Sequence, residues 1–406
     1  MSPALAVVDA EVATMASATG NPSGADGAGY GLIHDAALVL DGGRVAWVGP
    51  RGELPRAWAS AEPYSAGGRL VTPGLVECHT HLLFAGDRRE EFGAAARGEP
   101  VPAGGGVHRT VAATWEASED DILAAALRRA RWLVRQGVTT LEVKTGYGLE
   151  PGAELRLLRI AERLRAALPV RTLITLLAGH AYPAGADREE YVLRVCDELL
   201  PAAIESGVPD FVEVYCEDAD GISMEDASTI LETAYRRKVP TRLSADRLSD
   251  SAGGALAPAF YAKAAAHLVH TDDIAVTAIG RAGTTAVLLP GAALGPGADD
   301  RRPPVGLLRT HGVPMAVSTG CNPGTSPLAD PRAAAHLGVS LFGLELPEAL
   351  HGITSTAARA LALADGTGTL APGAPADLAV WDAAHPAELL LWMGAPLCHE
   401  VWAAGV

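Results

Sequence analysis

The sequence predicts an α/β protein whose main part is a (β/α)₈ barrel of the TIM type, joined to a small β domain built from both ends of the chain. Three observations support this fold class. Eight short apolar runs between residues 70 and 363 alternate with amphipathic segments, whose apolar residues recur at three- and four-residue spacing. Polar residues follow nearly every run, as expected where barrel strands end at the face that carries the chemistry. Both ends of the chain are rich in β-forming residues.

The eight apolar runs are the predicted barrel strands. In chain order they are LVECHTH, TTLEVKTGYG, TLITLLAGHA, FVEVYCED, TRLSADRL, AAHLVH, TAVLLPG and MAVSTGCN. Helical segments such as DDILAAALRRARWLVRQG and GAELRLLRIAERLRAAL lie between them. A doubly wound sheet is the competing arrangement, but eight repeats with polar ends favour the barrel. We therefore assign residues 70–363 to the barrel.

The two ends of the chain both have the composition of β-strands. Residues 36–50, AALVLDGGRVAWVGP, are two β-rich runs separated by Asp41-Gly42-Gly43, which is a strong hairpin signal. Residues 368–383, GTLAPGAPADLAVWDA, have a similar composition. The simplest arrangement is one composite β domain of residues 1–69 and 364–406.

The charge balance weighs against nucleic acid as a partner. The 406 residues include 48 acidic and 32 basic side chains, for a formal charge of −16. Such a surface repels phosphate backbones, and no Lys or Arg run offsets it. No apolar run approaches the ~18 residues that span a bilayer, and the first residues lack the basic start of a secretion signal. The five cysteines have no paired spacing and indicate reduced thiols. We expect a cytoplasmic protein with no membrane or nucleic-acid partner.

His79 and His81 stand at the end of the first predicted strand. Because they are two residues apart, their imidazoles point to the same side of a strand. Imidazole is a good ligand for zinc or iron. The pair alone is a weak signal, since two polar residues hydrogen-bonded at a barrel rim have the same pattern. Its place at the end of the first strand, after Pro73 and Gly74, makes a metal site the stronger hypothesis.

Seven stretches of the chain resemble the imidazolonepropionase family of the amidohydrolase superfamily. They are PGLVECHTHLLFAGDR, GGGVHRTVAATWEAS, GVTTLEVKTGYGL, LLAGHAYP, VYCED, LSADRLSDSAGG and TGCNPGTSP. The resemblance covers nearly the whole chain, and the GYGL and NPGTSP stretches are specific to this family. It implies an amidohydrolase-type barrel with one divalent metal, zinc or iron, that activates water to open an imidazolone ring at an amide-type C–N bond. It also implies a homodimer, the usual state of the family's members.

This sequence departs from the family at two of its four metal ligands. The resemblance places the HxH pair at His79 and His81, but the histidine that ends the fifth strand falls on Ser244. The aspartate that ends the eighth strand falls on Gly320. A catalytic zinc normally has three protein ligands, and two neutral imidazoles hold it poorly. The missing aspartate also serves the family as the proton acceptor for the attacking water.

Two residues offer substitutes for the missing ligands. His267 ends the sixth strand, where binuclear members of the superfamily have a metal ligand, and Cys321, whose thiolate would bind zinc, lies next to Gly320. A regular strand would turn Cys321 away from the site, so a buried thiol is the better interpretation. We expect no metal or a substoichiometric amount, and zinc or iron only if His79, His81 and His267 form a rebuilt site.

The residues that would hold a substrate match the family better. Six positions match family positions that hold or contact the substrate, and each also has a purely structural interpretation. Arg88 offers a guanidinium group suited to a carboxylate. The full set is Arg88, Tyr147, His180, Asn322, Gly324 and Thr325. Arg247 is a departure, because the family has an acid or glutamine there, and a cation at that place changes what touches the substrate ring.

The remaining acid–base candidates are His180, His267 and Asp246. Without metal-bound hydroxide, proton transfer by these groups would have to supply the chemistry. The sequence therefore predicts an enzyme that acts on a small ring compound bearing a carboxylate, by metal-independent and non-hydrolytic chemistry such as cyclisation, elimination or isomerisation. One alternative is a metal-dependent imidazolonepropionase that hydrolyses a cyclic amide. The other is a binding protein for a small molecule, without catalysis.

Overall fold

The computed structural model of the protein describes residues 4–16, 29–100, 105–295 and 300–403. Across these ranges the chain forms fourteen strands. They are β1 (Leu5–Ala13), β2 (Leu32–Asp41), β3 (Arg44–Pro50), β4 (Glu62–Pro73), β5 (Leu75–Glu77), β6 (Val138–Lys144), β7 (Arg171–Gly179), β8 (Phe211–Cys216), β9 (Thr241–Ala245), β10 (Ala264–His267), β11 (Thr285–Leu288), β12 (Met315–Val317), β13 (Leu378–Trp381) and β14 (Cys398–Trp402).

Strands β5 to β12 form the barrel sheet. They are parallel, and each pairs with its neighbours in chain order. Strands such as β6 and β8 are buried along their whole length, as expected for parallel strands covered on both faces. Each strand lies within one of the eight apolar runs, or overlaps it, so the predicted (β/α)₈ barrel is confirmed.

The ends of the barrel sheet meet through side chains and loops. Ser318, just after β12, contacts the carboxylate of Glu77 in β5 and donates a hydrogen bond of 3.1 Å to the carbonyl of His79. The amide of His81 donates a hydrogen bond of 2.8 Å to the carbonyl of Cys321. These contacts hold the first and last strand ends side by side, which places the HxH pair next to the loop after β12.

Helices connect the barrel strands. Several begin at a side chain that caps the first turn: Ser118 accepts from the amide of Asp121 at 3.1 Å, and Asp272 accepts from that of Ala275 at 2.8 Å. No helix of the described ranges is long and apolar enough to cross a membrane. The helices are α1 (Arg89–Ala96), α2 (Val107–Glu116), α3 (Glu119–Val134), α4 (Pro151–Ala167), α5 (Arg188–Arg194), α6 (Leu200–Ser206), α7 (Met224–Arg236), α8 (Leu256–Ala259), α9 (Asp273–Ala282), α10 (Val305–Thr310), α11 (Pro331–Phe342), α12 (Leu346–Gly352), α13 (Ser355–Ala360) and α14 (Pro386–Leu391).

The two chain ends form a second sheet, as the sequence predicts. Its strand order is β14-β13-β4-β1-β2-β3. Strands β2 and β3 form the predicted hairpin, whose turn residues Gly42 and Gly43 have φ values of 56° and 73°. A turn with two positive φ values matches the twist of the flanking strands, and glycine adopts it without strain. Strand β4 runs on to Pro73, past the predicted domain boundary at residue 69, and that boundary stays a prediction.

Candidate active site

A cavity of about 480 Å³ opens at the carboxyl ends of the barrel strands. Strand-to-helix loops place the chemistry of such barrels at this end. The cavity brings together the residues that the sequence singled out for substrate or metal, except Cys321, together with two of the three acid–base candidates. They are His79, His81, Arg88, Tyr147, His180, Ser244, Arg247, His267, Gly320, Asn322, Gly324 and Thr325.

Four imidazole rings cluster in the cavity. The ring of His79 lies 5.4 Å from that of His81 and 6.3 Å from that of His267, between centroids. The ring of His81 stacks on that of His180 at 5.5 Å. Burial lowers the pKa of every one of these rings, and the positive charge of Lys144 acts in the same direction. The four imidazoles are therefore neutral near pH 7, and each has one ring nitrogen that accepts a proton or a hydrogen bond.

His180 has a defined tautomer. Its Nδ1 lies 2.8 Å from the carbonyl oxygen of Gly146 in the loop after β6. A carbonyl only accepts, so Nδ1 carries the proton and Nε2 carries the free lone pair. The ring also packs edge-on against Tyr147, with centroids 5.3 Å apart. This arrangement suits a proton acceptor whose orientation is set before a ligand arrives.

His267 ends β10 in an unusual backbone conformation. Its φ is 70°, and that of the next residue, Leu268, is 56°. Two consecutive non-glycine residues in the left-handed region cost of order 1–3 kcal/mol each, and such strain is concentrated at functional sites. Burial, followed by the charge of Arg247, lowers the pKa of His267 to about 3. The ring keeps some exposed surface toward the cavity, although it lies deep in the protein.

Ser244 and Gly320, at the metal-ligand positions that the family resemblance implies, differ in their surroundings. Ser244 donates a hydrogen bond of 2.7 Å to Oε1 of Glu213, so its hydroxyl is already used. Gly320 has φ 59° and offers no side chain. A Cβ at position 320 would meet only Leu289 side-chain atoms, the nearest at 3.5 Å, so the space that a larger residue would fill is open.

The residues present do not fit the family's metal. Among the described residues, no group of three or more His, Cys, Asp or Glu side chains is arranged to hold a metal ion. The Nδ1 atoms of His79 and His81 are buried without a hydrogen-bond partner, but two imidazoles are fewer than the three protein ligands that a catalytic zinc normally has. Cys321 is buried, and burial raises the pKa of its thiol to about 12, which disfavours the thiolate that binds metal.

Beneath the imidazoles lies a fully buried set of charges, which we call the charged floor: Glu142, Lys144, Glu213 and Arg242. Lys144 Nζ lies 2.8 Å from a carboxylate oxygen of Glu142 and 2.8 Å from one of Glu213. Arg242 Nε lies 3.2 Å from Glu213. Although burial opposes ionisation of Glu213, Lys144 and Arg242 hold its pKa below the ordinary value. The four charges balance, as buried ion pairs must.

Arg88 lies at the rim on the side of the first and last barrel strands. Its Nε donates a hydrogen bond of 2.8 Å to Oε2 of Glu91, which is buried, and Glu91 also accepts from the amide of Gly106 at 3.1 Å. A Cβ at position 324 would overlap the guanidinium group, so only glycine lets Arg88 approach the loop after β12. This packing fixes the guanidinium group at the cavity wall, where it can meet a carboxylate.

Asn322 organises its own loop. Its Oδ1 accepts from the amides of Gly324 at 2.8 Å and Thr325 at 2.7 Å, and its Nδ2 donates to the carbonyl of Gly320 at 2.8 Å. Such contacts are typical of an Asx turn. Asn322, Gly324 and Thr325 line the cavity, but the amide of Asn322 is used within the loop, so it shapes the wall beside Arg88.

Arg247 lies on the opposite side of the cavity. Its side chain is 11% exposed, and its Nη1 lies 3.6 Å from Oδ2 of Asp220, too far for a hydrogen bond. Asp220 and Tyr215 also line the cavity, and sequence reasoning missed both. Tyr215 donates a hydrogen bond of 2.8 Å to Asp220, and it is two residues after Glu213 on β8. That alternation is the signal that points to Tyr215.

The geometry gives no support to the predicted catalytic role of Asp246. Its carboxylate is buried and does not line the cavity. It accepts from Thr271 at 2.6 Å, from Ser251 at 3.1 Å, and from the amides of Gly253 and Gly254 at 3.0 Å each. With four donors satisfied, Asp246 is suited to holding the loop that carries Arg247 rather than to proton transfer.

Comparison with known proteins decides the family. The chain is 45% identical to an imidazolonepropionase from Methylobacterium nodulans over 373 residues, which covers 90% of this chain and 92% of the relative. The chain belongs to the imidazolonepropionase family. It is also 44% identical over 368 residues to an imidazolonepropionase from Cupriavidus pinatubonensis, covering 89% of this chain and 86% of the relative. The Amidohydrolase family profile matches residues 212–405. The chain is thus an amidohydrolase-superfamily enzyme by descent.

Solved structures establish the amidohydrolase type of the fold. N-isopropylammelide isopropylaminohydrolase from Burkholderia multivorans aligns with a TM-score of 0.71 at 22% identity and covers 100% of this chain and 97% of its own. An adenosine deaminase from Xanthomonas campestris, solved with bound zinc, aligns with a TM-score of 0.70 at 18% identity, with coverage of 99% and 92%. The predicted fold class is therefore confirmed.

Three cavity residues, Ser244, Gly320 and Arg247, fall where the imidazolonepropionase resemblance predicts other residue types. The family resemblance implies a histidine, an aspartate and an acid or glutamine there. All three positions line the same cavity. The homodimer that the imidazolonepropionase resemblance implies stays a prediction.

Proposed function

We propose that this protein opens a five-membered cyclic amide bearing a carboxylate side chain, by adding water across the ring amide bond. Its relatives are named imidazolonepropionases, which supports this substrate class. The observation that carries the proposal is that one cavity holds both a fixed guanidinium group, that of Arg88, and a cluster of neutral imidazoles. A non-hydrolytic reaction, which the sequence favoured, has less support than ring opening.

The proposed chemistry begins with positioning. Arg88 binds the carboxylate of the side chain and leaves the ring over the imidazoles. The unprotonated Nε2 of His180 accepts a proton from water, and the water oxygen bonds to the ring carbonyl carbon. The ring C–N bond then breaks, and the proton passes from His180 to the departing nitrogen. The atoms of one water are added and the ring is opened.

The test is turnover of imidazolone propionate by the purified protein. Loss of the ring's ultraviolet absorbance, together with a product heavier by one water, is the expected result. A metal chelator should leave the rate unchanged, because the residues present do not supply the family's ligands. Loss of activity on chelation would overturn the imidazole-based route. Absence of turnover, with binding retained, would favour a role without hydrolysis.

A double variant tests for the metal directly. Ser244→His combined with Gly320→Asp restores the two ligands that the family resemblance implies. The space at position 320 is open, and aspartate tolerates a left-handed backbone better than most residues. Elemental analysis should find well under one equivalent of zinc or iron in the unmodified protein and about one in the double variant. Stoichiometric metal in the unmodified protein, lost in His79→Ala, would instead show a rebuilt site.

A second candidate function is binding or rearrangement of the same ring without ring opening. The observation that favours it is that the Ser244 hydroxyl donates its proton to Glu213, so this side chain has no donor left for a ligand or water. An isomer of unchanged mass, formed from imidazolone propionate, would support rearrangement. Tight binding without any product would support a binding protein.

A further inference from the structure

Two guanidinium groups face the cavity from opposite walls. Arg88 follows β5, the first barrel strand, and packs against Gly324 after β12, the eighth. Arg247 follows β9, the fifth barrel strand, and faces Asp220 after β8, the fourth. In a ring of eight strands in chain order, the first and eighth lie across from the fourth and fifth. A ligand held by its carboxylate at Arg88 therefore directs its other end toward Arg247.

The two groups differ in how far their charge is neutralised. Arg88 forms hydrogen bonds to the buried carboxylate of Glu91. Arg247 has one ion pair within the described part of the chain, at 3.6 Å, and its partner Asp220 is 47% exposed. A largely buried guanidinium group with so distant a partner keeps donors free for a ligand oxygen.

Arg247 is three residues after Ser244, just beyond the end of β9, and its charge helps to lower the pKa of the neighbouring His267 ring. The loop is held by Asp246, which accepts from Gly253, Gly254 and two hydroxyl groups. Arg247 therefore lies beside the position where the family resemblance implies a metal. The hydrogen bonds to Asp246 that hold its loop do not involve a metal.

We infer that Arg247 holds the carbonyl oxygen of the substrate ring, and so determines specificity for a ring that bears an oxygen. The inference rests on the proposed function, since it concerns the same cavity and the same class of ligand. The guanidinium group donates to the ring oxygen and stabilises the negative charge that forms there when water adds. The substrate is thus a compound with two oxygen-bearing ends, a carboxylate at Arg88 and a ring carbonyl at Arg247.

The experiment compares two ligands that differ in ring oxygen. Hydantoin-5-propionate carries ring carbonyls, whereas imidazole-4-propionate has the same carboxylate side chain on a ring without oxygen. Calorimetry measures the binding of both to the unmodified protein, to Arg247→Gln and to Arg88→Gln. Arg247→Gln should weaken binding of hydantoin-5-propionate by at least about tenfold and leave imidazole-4-propionate within about twofold. Arg88→Gln should weaken both by a similar factor.

The outcomes separate this inference from the proposed function. If Arg247→Gln weakens the binding of both ligands equally, or of neither, the ring-oxygen role of Arg247 is wrong while the cavity remains the ligand site. If neither compound binds the unmodified protein, the proposed function fails, and this inference fails with it. Arg247→Lys keeps the charge but loses the planar guanidinium group with its parallel N–H donors, so hydantoin-5-propionate should bind it with intermediate affinity.

Discussion

The charged floor and the imidazole cluster lie next to each other in the barrel. They differ in how their polar groups are paired. In the floor, Lys144 and Arg242 are paired at 2.8–3.2 Å with Glu142 and Glu213, and all four side chains are almost completely buried. In the cluster, the rings are neutral, and the nearby guanidinium group of Arg247 has its only ion pair, within the described residues, at 3.6 Å. The charges of the floor neutralise one another, while the cavity keeps its polar groups available.

The paired charges stabilise the fold, and the groups that face the cavity act on a ligand. Removing one member of a paired, buried set leaves an uncompensated charge, so changes in the floor should act on folding. Removing Arg247 or the ring of His180 leaves no buried charge unpaired, so changes at these groups should act on ligand and chemistry. Variants of the two sets should therefore separate stability from ligand binding.

The first prediction concerns His180. Asparagine at this position keeps an amide donor for the carbonyl of Gly146 but removes the acceptor at Nε2. His180→Asn should therefore lower the rate of ring opening by about 10²–10⁴-fold, the usual contribution of a general base, with little change in unfolding free energy. Turnover and urea unfolding measure the two effects. The control is His34→Asn, at an exposed imidazole in the terminal sheet. A variant with normal turnover would remove His180 from the mechanism.

The second prediction concerns the floor. Lys144→Met leaves Glu142 and Glu213 without their shared cation, and should lower the free energy of unfolding by about 3–5 kcal/mol. Arg236→Met, which breaks an exposed pair with Glu232, should change it by no more than ~1 kcal/mol. Urea unfolding measures both.

A double variant tests the same prediction if Lys144→Met does not fold. Adding Glu142→Gln removes one of the stranded carboxylates while Arg242 still pairs with Glu213. The double variant should recover part of the lost stability. Equal instability of the single and double variants would show that the charge balance of the floor is not what stabilises it.

The barrel and the cavity were largely predictable from sequence because they depend on periodicity. Alternating apolar runs mark the strands, and His79 and His81 both line the cavity as predicted, although β5 ends at Glu77 and they lie beyond it. The two-residue spacing rule failed for Asp246, two residues after Ser244, because β9 ends at Ala245 and Asp246 has φ 54°. A left-handed residue breaks the alternation and turns the carboxylate into the loop. Tyr215 and Asp220 were missed because their contact with each other and with Arg247 depends on tertiary structure.

The third prediction concerns the carboxylate end of the cavity. Arg88→Gln should weaken the binding of imidazole-4-propionate by about 1.5–3 kcal/mol, the contribution of a charge-assisted hydrogen bond. Binding of 4-methylimidazole, which lacks the carboxylate, should be unchanged. Since Glu91 loses its partner in this variant, unfolding is measured alongside binding. Equally weaker binding of both ligands would mean that Arg88 acts through the structure of the cavity wall rather than by contact with the carboxylate.

The last prediction concerns the pH dependence of stability, which the neutral imidazoles should impose. The pKa of His267 is lowered from 6.5 to about 3 in the folded protein, because burial and Arg247 disfavour its charged form. Between these values the unfolded chain binds a proton at this residue and the folded chain does not. Stability is therefore lost as the pH falls from 6.5 toward 3, at up to ~1.4 kcal/mol per pH unit for this residue alone.

His267→Asn is the variant that tests this slope, because asparagine tolerates the left-handed backbone at this position. Urea unfolding at several values between about pH 7.5 and pH 4.5 should show that the variant loses less stability on acidification than the unmodified protein. Parallel curves for His267→Asn and the unmodified protein would mean that His267 takes up its proton in the folded state. His267 would then be charged below about pH 6.5, and its contrast with the floor would be lost there.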